Sequence, residues 1–323
     1  MDGGGQTHHP STPRRRRRDR PSRPTYSGAM TRWTTDDLPD QTGRTYVVTG
    51  ANSGLGRQTA AALAAVGARV VLAVRDRGRG EEAARAMTGD VEVRVLDLAD
   101  LASVRRFADG WSGPLDVLVN NAGLMAVPQQ RTADGFEMQL GTNHLGHFAL
   151  TNLLLPAVTD RVVTVSSGLH RRGRVVLDDL NWERRRYSPY GAYGQSKLAN
   201  LLFTLELERR LVADGSPVRA LAAHPGYAAT NLQGGHGRFL DLLTGAANRI
   251  FAQSDAQGAL PTLYAAVADL PGGSYVGPDG RSEMRGHPTL VGRSAEASDS
   301  TLAARLWTAS EELTGVRYPV LPG

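Results

Sequence analysis

The chain has 323 residues, of which 41% are hydrophobic, so it can bury a sizeable core, and α/β folds often reach this length as one unit. It contains no cysteine, which excludes a disulfide framework and thiolate chemistry and suits a reducing cytoplasm, where we expect the protein to act. The net charge of +5 comes entirely from residues 1–29, with seven arginines against two acidic residues, so a basic nucleic-acid-binding globule is not supported.

Residues 1–30 predict a disordered, arginine-rich tail that precedes one folded domain, 31–323. The tail has almost no apolar residues to bury. Its arginines could touch nucleic acid or acidic lipid, but an unstructured extension is favoured, and we expect no nucleic-acid partner. A signal peptide needs an apolar segment after the basic one, and none follows, while Met30 could be the natural start. No stretch approaches the roughly 18 apolar residues of a membrane span.

From Thr45 onward, short Val-rich runs alternate with longer Ala/Leu-rich stretches of helical character. Strands are predicted at Thr45–Thr49, Arg69–Val74, Val91–Leu96, Leu115–Asn120, Arg161–Ser166 and Val218–Ala223. Helices are predicted at Leu55–Val66, Gly80–Met87, Leu101–Gly110, Gly135–Ala157 and Tyr193–Ala213. Residues Val70 to Val74 of the second strand are all apolar, as expected when helices cover both faces of a sheet. The alternation predicts a single α/β domain with a doubly wound parallel sheet.

Residues 231–258 interrupt this alternation. Gly234, Gly235 and Gly237 precede an apolar, partly helical stretch. A late, glycine-hinged apolar segment often covers a ligand, which predicts a substrate lid here, although a packed surface helix fits the same pattern.

A glycine-rich turn, Thr49-Gly50-Ala51-Asn52-Ser53-Gly54-Leu55-Gly56, joins the first predicted strand to the first helix. Glycines allow a tight turn and a close backbone approach, and they leave the free N–H groups of the helix facing a pyrophosphate. In this strand-turn-helix setting the turn predicts a dinucleotide site. The spacing is Gly-x-x-x-Gly-x-Gly.

Lys197 is the only lysine among the 37 basic Lys and Arg residues. It lies four residues after Tyr193, one helical turn away on the same face. Arginine can replace lysine on a solvated surface, but not where a compact ammonium must sit beside a phenol and sugar hydroxyls. A free phenol near pKa 10 is a poor acid or base at neutral pH, and a neighbouring cation lowers its pKa. The pair therefore predicts a reactive tyrosine, although one lysine could also survive by chance.

The glycine turn, Asn120-Asn121-Ala122-Gly123 after the fourth strand and Tyr193-x-x-x-Lys197 together resemble the short-chain dehydrogenase/reductase superfamily, in its short single-domain subtype. The resemblance runs from about Thr45 to Gly277. The stretches Asn143 to Phe148 and Ser188 to Asn200 look most like its retinol-dehydrogenase-like branch. The resemblance implies a Rossmann fold and an NAD(P)-dependent oxidoreductase acting on CH–OH and carbonyl groups.

A catalytic tetrad is implied by the resemblance: Asn143, Ser167, Tyr193 and Lys197. Tyr193 would exchange a proton with the substrate oxygen, Lys197 would lower its pKa and hold the nicotinamide ribose, and Ser167 would hydrogen-bond the developing alkoxide. Asn143 would hold a water that connects the lysine to solvent. Ser166 is the alternative to Ser167.

Two further phenols, Tyr187 and Tyr190, are rivals to the predicted reactive tyrosine, but neither has a lysine four residues on. The segment from His170 to Pro189 is rich in arginine and predicts a surface insertion, which could also shape the mouth of the pocket.

The resemblance also implies the cofactor-binding residues. They are Gly50, Asn52, Ser53, Gly54, Leu55, Gly56, Arg75, Asp97, Leu98, Asn121, Ala122, Gly123, Tyr193, Lys197, Pro225, Gly226 and Thr230. Asp97 would contact adenine, with a helix N-cap as its alternative role. A plain turn is the alternative for Pro225 and Gly226.

Charge at the end of the second strand indicates which cofactor is preferred. Arg75 could fork onto a 2′-phosphate with help from Ser53, which favours NADP. Asp76 could instead bind a free ribose if the strand runs further, so NAD stays open.

His144 and His147 are three residues apart, but no third metal ligand has a suitable spacing, so we expect packing and hydrogen bonds and no metal. Leu124, Met125 and Val127 after the Asn-Ala-Gly turn, with the apolar lid, predict a lipophilic alcohol or carbonyl substrate.

Apolar residues on more than one stripe of the Tyr193 helix, Leu198, Leu201, Leu202, Phe203 and Leu205, indicate a homo-oligomer. A non-catalytic, cofactor-sensing regulator and a nucleic-acid-associated protein acting through its tail are the alternative functions.

Overall fold

A computed structural model of the chain describes residues 1–3, 32–226 and 254–321. By its internal contacts the chain divides into two units, Met1–Thr31 and Arg32–Gly323. Met30, Thr230 and the greater part of the predicted lid lie outside the described residues.

The described residues of the second unit are built on one eight-stranded sheet, with the order β3-β2-β1-β4-β5-β6-β7-β8. Neighbouring strands are parallel except β7 and β8, which are antiparallel. The strands are β1 (Thr45–Thr49), β2 (Arg69–Val74), β3 (Asp90–Val95), β4 (Leu115–Asn120), β5 (Val158–Val165), β6 (Arg219–Ala223), β7 (Tyr275–Pro278) and β8 (Pro288–Leu290). This sheet confirms the predicted doubly wound parallel architecture.

Helices cover both faces of the sheet. They are α1 (Gly54–Ala65), α2 (Arg77–Arg85), α3 (Leu101–Asp109), α4 (Met138–Leu140), α5 (Gly146–Leu154), α6 (Pro189–Ala213), α7 (Asp255–Val267) and α8 (Ser300–Thr314), with a π-helical segment, Gly141–Leu145, joining α4 to α5. Helices α1, α2 and α7 pack on one face of the sheet, and α3, α5 and α6 pack on the other, where α8 lies against α6. The central strands are buried on both faces, which explains their unbroken apolar sequences.

The six predicted strands and five predicted helices are present in the predicted order. Strands β1, β2 and β4 have the predicted bounds, and the ends of the other elements are shifted. The helix that carries Tyr193 begins at Pro189, because Ser188 accepts a hydrogen bond from Gly191 N and proline suits the first helical position. The helix predicted at Gly135–Ala157 begins only at Met138 and contains the π-helical segment. Strands β7 and β8 and helices α7 and α8 were not predicted.

Helix α8 covers the apolar face of α6 that predicted subunit pairing. Trp307 stacks on Phe203 with ring centroids 5.7 Å apart and planes 7° apart, and it meets Phe148 edge-on at 4.9 Å. Leu198, together with Leu201 and Leu202, is fully buried within the single chain. Leu198, Leu201, Leu202 and Phe203 are thus buried within the chain and do not support subunit pairing, while the homo-oligomer itself stays a prediction.

The two histidines of the α5 region are buried and hydrogen-bonded. His144 Nε2 lies 3.0 Å from Ser310 Oγ, and His147 lies 2.9 Å from Thr49 Oγ1 through Nε2 and 3.0 Å from the Asn143 carbonyl through Nδ1. Burial lowers the pKa of His144 to about 3 and that of His147 to about 4, so both rings are neutral at physiological pH. Hydrogen bonding within the fold accounts for both rings.

Within the ranges described, the helices include none long and apolar enough to cross a membrane.

Candidate active site

A cavity of about 340 Å³ opens at the carboxyl ends of the parallel strands. It lies where the strand order reverses between β1 and β4, the usual ligand position in an open α/β sheet. Of the predicted cofactor-binding residues that the structure describes, all but Gly226 line it. The fold thus brings residues that were predicted at distant positions of the chain to one cavity.

The glycine turn forms one end of the cavity. Gly50 and Gly54 adopt positive φ angles, +67° and +53°, which favour glycine. A Cβ added at Gly56 would lie 2.7 Å from the Gly50 carbonyl oxygen and would also collide with the Asn121 amide. Ser53 occupies the N-cap position of α1 without capping it through its side chain. The first turn of α1 can therefore present its backbone N–H groups to an anion.

Thr49, which the sequence analysis did not single out, joins the ends of β1 and β4. Its Oγ1 accepts hydrogen bonds from Asn121 N and Ala122 N, both at 2.9 Å, and its carbonyl accepts one from Asn121 Nδ2 at 2.8 Å. A threonine directly after the apolar run Tyr46-Val47-Val48 was the available signal in the sequence. These bonds hold the glycine turn next to the Asn121-Ala122-Gly123 segment.

Asp97 follows β3 and lines the cavity, and its carboxylate accepts a hydrogen bond from Ala99 N at 2.9 Å. It does not cap helix α3. That position belongs to Asp100, whose side chain accepts from Ala102 N.

Asp76 caps helix α2. Its carboxylate accepts a hydrogen bond from Arg79 N at 3.0 Å. The exposed side chains of Arg75 and Arg79 line the same end of the cavity as Asp76. Arg79 was missed because α2 was predicted to begin at Gly80, whereas it begins at Arg77.

Tyr193 and Lys197 line the other end of the cavity. Burial raises the pKa of Tyr193 to about 12, and a hydrogen bond with Ser167 acts in the opposite direction. Lys197 Nζ lies 5.8 Å from the centre of the tyrosine ring and donates to the Val165 carbonyl at 2.9 Å. The net direction of the Tyr193 pKa is thus opposite to that predicted from the spacing, because the cost of desolvating a phenolate dominates.

Burial also lowers the pKa of Lys197 from 10.5 to about 8. The ammonium lies close to the backbone of Gly123, since a Cβ added to this glycine would be only 3.4 Å from Lys197 Nζ. Asn200 Nδ2 donates to the same Val165 carbonyl at 3.1 Å. The lysine is therefore held in place by its backbone acceptor at an electrostatic cost.

The two candidate serines have different partners. Ser167 follows β5, bonds Tyr193 and accepts a hydrogen bond from Leu169 N at 3.2 Å. Ser166 is buried, lines the cavity and donates to the Lys197 carbonyl at 2.8 Å. Ser167 is thus the serine that contacts the phenol, while Ser166 fixes the backbone of the lysine.

Asn143 lies in the π-helical segment, an irregularity that often marks a functional site. Its side chain bonds the backbone of Leu124 in both directions, accepting from the N–H at 2.8 Å and donating to the carbonyl at 2.9 Å. It also donates to Ser196 Oγ at 2.9 Å. Both ends of this amide are thus engaged with protein groups beside Lys197.

The remaining predicted residues lie at the edges of the cavity. Pro225 lines it, and Gly226, with φ +70°, donates its N–H to His224 Nδ1 at 3.2 Å. The rival phenols are elsewhere: Tyr190 is 63% exposed, and the Tyr187 hydroxyl donates to the Val127 carbonyl at 3.1 Å.

The glycine turn, the Asn-Ala-Gly segment and the Tyr-Lys pair lie around one cavity. A comparison of the sequence with models of known protein families agrees with this arrangement. The family model described as short chain dehydrogenase matches residues 44–239. The chain belongs to the short-chain dehydrogenase family.

Curated relatives of this short-chain dehydrogenase confirm the retinol-dehydrogenase-like branch. Retinol dehydrogenase 13 of Homo sapiens is 43% identical over 296 residues, which cover 86% of each chain. Polyprenol dehydrogenase of Mus musculus is 42% identical over 297 residues, again covering 86% of each chain. The protein is thus an NAD(P)-dependent oxidoreductase of CH–OH and carbonyl groups.

Solved structures confirm the fold of the short-chain dehydrogenase. An uncharacterised protein from Mycobacterium paratuberculosis is 61% identical, and its structure matches with a TM-score of 0.80. The match covers 90% of this chain and 100% of that protein. A protein from Beutenbergia cavernae, described as an NAD(P) dependent gluconate 5-dehydrogenase with bound NADP, is 26% identical, with a TM-score of 0.56 covering 73% of this chain and 95% of its own.

The cavity of this short-chain dehydrogenase fits a dinucleotide on its own geometry. Glycine at positions 50 and 56 lets the turn pack closely against Asn121 and Ala122, and the N-terminus of α1 has no side-chain cap, so its N–H groups are available to an anion. The Gly50–Gly56 turn would hold the pyrophosphate, and Tyr193 and Lys197 would hold the nicotinamide half.

Proposed function

We propose that the protein is an NADP-preferring oxidoreductase that interconverts a lipophilic alcohol and its aldehyde or ketone, with Tyr193 as the acid and base. One observation carries this proposal. The Tyr193 hydroxyl, bonded to Ser167, lies with Lys197 at the same cavity as the glycine turn. A proton donor and a dinucleotide cradle therefore share one space.

The bound cofactor would supply or accept the hydride at the substrate carbon. Since the pKa of Tyr193 is about 12, its phenol holds its proton at neutral pH and can donate it to a carbonyl oxygen. Ser167 would donate a hydrogen bond to the same oxygen and oppose its charge. The ammonium of Lys197 would stabilise the phenolate that remains, and the reverse steps would oxidise an alcohol.

The preference for NADP is supported by the charges at the end of β2. Asp76 is engaged in capping α2, while Arg75 and Arg79 line the cavity at this end. In the described part of the chain neither arginine has an ion-pair partner within 4.0 Å, in contrast to Arg77, which pairs with Glu81 at 3.7 Å. Two guanidinium groups with no acidic partner suit a 2′-phosphate better than a neutral ribose.

A lipophilic substrate is supported by the wall near Tyr193. Leu124 and Met138 line that end of the cavity. Two relatives are named after their alcohols, retinol and polyprenol, and both of these are long and apolar. Burial of such chains against an apolar wall contributes about 0.8 kcal/mol for each methylene group, so longer substrates should bind more tightly.

The test is NADPH and NADH oxidation by the purified protein against aldehydes and ketones that range from small and polar to long and apolar. Tyr193→Phe should lower kcat by at least about 100-fold, because the phenol that exchanges the proton is removed. Turnover of small polar carbonyls far above that of apolar ones would contradict the substrate class. Cofactor binding without any turnover would support the non-catalytic regulator instead.

The cofactor preference has its own test. Arg75→Ala and Arg79→Ala should each raise the KM for NADPH by about tenfold, because each removes a charge-assisted hydrogen bond worth about 1.5 kcal/mol, and should leave the KM for NADH unchanged. Arg77→Ala is the matched control, since this arginine on the same turn already pairs with Glu81. Equal losses for NADPH and NADH would contradict a 2′-phosphate site.

A further inference from the structure

Two amide side chains one helical turn apart reach the loop that follows β4. Asn143, in the π-helical segment, bonds the backbone of Leu124, and Gln139, four residues earlier in α4, bonds the backbone of Ala126. Residues at this spacing project from the same side of a helix. Each amide also reaches α6, Asn143 through Ser196 and Gln139 through Pro189. The loop is thus tied twice to the helix that carries Tyr193.

Gln139 is completely buried, and both ends of its amide are used. Its Oε1 accepts a hydrogen bond from Ala126 N at 2.8 Å. Its Nε2 donates to the Pro189 carbonyl at 2.9 Å and to the Tyr187 hydroxyl at 3.0 Å. An amide has two donor hydrogens, so no donor is left over for another partner.

The backbone that Gln139 holds is unfavourable by itself. Ala126 has φ +53°, in the left-handed region that residues with a Cβ seldom adopt. Such a conformation persists only when surrounding contacts impose it. The hydrogen bond from Ala126 N to the buried Gln139 amide is one such contact. The Tyr187 hydroxyl lies 3.1 Å from both the Val127 carbonyl and the Glu137 carboxylate, and its one hydrogen is shared between these two acceptors.

The position of this loop matters for the site. Leu124 and Met138, at either side of the tie, line the cavity near Tyr193. Pro189 is the first residue of α6, one turn before Tyr193. Any movement of the loop relative to α6 would therefore change the distance between the apolar wall and the reacting phenol.

We propose that Gln139 is a positioning residue that holds the loop 124–127 against α6 and so sets the wall that selects the substrate. The part that concerns substrate rests on the proposed function. Gln139 does not touch the reacting atoms, and it acts through Ala126 and Pro189.

The test compares Gln139→Met with Gln129→Met. Methionine keeps the length of the side chain and removes its hydrogen bonds, and Gln129 is an exposed neighbour whose amide makes one long bond, 3.4 Å, to the Trp182 carbonyl. In Gln139→Met the Ala126 amide should exchange its hydrogen at least about tenfold faster. The ratio of kcat/KM for a long apolar carbonyl to that for a short one should fall by about tenfold or more. The Kd for NADPH should stay within about twofold, since the glycine turn is untouched.

Unchanged exchange at Ala126 would overturn the proposal, and so would an equal fall in kcat/KM for long and short substrates, which indicates a general structural role. The exchange measurement needs no turnover, so it decides the attachment of the loop even if the proposed function fails. Tyr187→Phe is a second variant in case Gln139→Met does not fold. It removes one partner of Gln139 and the bond to Val127, and it should accelerate exchange in the same loop by a smaller factor.

Discussion

Replacing Lys197 by methionine is expected to make the protein more stable and inactive. Lys197 is 4% exposed, and burial lowers its pKa from 10.5 to about 8. Methionine has a similar length and no charge to desolvate. The Val165 carbonyl that loses the lysine donor keeps Asn200 Nδ2 at 3.1 Å, so no buried acceptor is left without a partner. Charge is thus retained here at the expense of stability, as expected of a functional group.

The size of the effect follows from the pKa of Lys197. The difference between 10.5 and about 8 corresponds to about 3 kcal/mol of unfavourable free energy for the charged form at pH 7. Losing the hydrogen bond to Val165 reduces the gain in stability by about 1 kcal/mol. Lys197→Met should therefore raise the free energy of unfolding by about 2 kcal/mol at pH 7.

The effect should depend on pH in a definite direction. Because the pKa of Lys197 is lower in the folded than in the unfolded protein, folding releases a proton between about pH 8 and 10.5. The cost of the lysine is complete below pH 8 and decreases as the pH rises through this window. At pH 9.5 the advantage of the methionine variant should be less than about 1 kcal/mol.

Urea unfolding of wild type and variant at pH 7 and 9.5, without cofactor, measures this difference, and NADPH oxidation measures activity. Arg305→Met is the control, because it removes an exposed cation from α8 and should change stability by no more than about 0.5 kcal/mol at either pH. A destabilised Lys197→Met, or an advantage that does not change between the two pH values, would refute the reasoning that burial of the ammonium is costly.

Three more substitutions test other parts of the fold and site. Asp76→Ala should lower the free energy of unfolding by about 1 kcal/mol, since it removes the cap of α2, and leave the KM for NADH unchanged. Gly56→Ala should cost about 2 kcal/mol and weaken NADPH binding, because the added Cβ meets the Gly50 carbonyl at 2.7 Å. Trp307→Ala should cost about 3–5 kcal/mol by removing the stack on Phe203.

Calorimetry, urea unfolding and cofactor titration measure these changes. Gly292→Ala is the control for Gly56, because an added Cβ there meets nothing within 4 Å. Val212→Ala, at a 67% exposed side chain, is the control for Trp307. A tenfold rise in the KM for NADH in Asp76→Ala would instead indicate that this carboxylate binds ribose. Tight NADPH binding by Gly56→Ala would contradict a close backbone approach, and a Trp307→Ala variant as stable as wild type would contradict the packing of α8 on α6.

Much of the architecture was predictable because its signals are local. The alternation of apolar strands and Ala/Leu-rich helices indicates a parallel sheet covered on both faces. The predicted strands and helices occur in the correct order along the chain. The glycine turn depends on backbone freedom at Gly50 and Gly54, and Tyr193 and Lys197 share a face through spacing within one helix. Pattern and spacing along the chain were sufficient for these features.

Burial and partners, in contrast, depend on residues that are distant in sequence. The spacing of Tyr193 and Lys197 predicted a lowered pKa for the phenol, whereas enclosure by the fold raises it to about 12. The sequence offered ribose as a ligand for Asp76, and only the start of α2 showed that this carboxylate caps a helix. The apolar face of α6 indicated a second subunit, but the same chain covers it with Trp307 from α8. By itself the sequence named the residues that meet at the cavity, through its resemblance to a known family. Only the tertiary structure decided their charge and their partners, because desolvation and packing are set by contacts made across the whole fold.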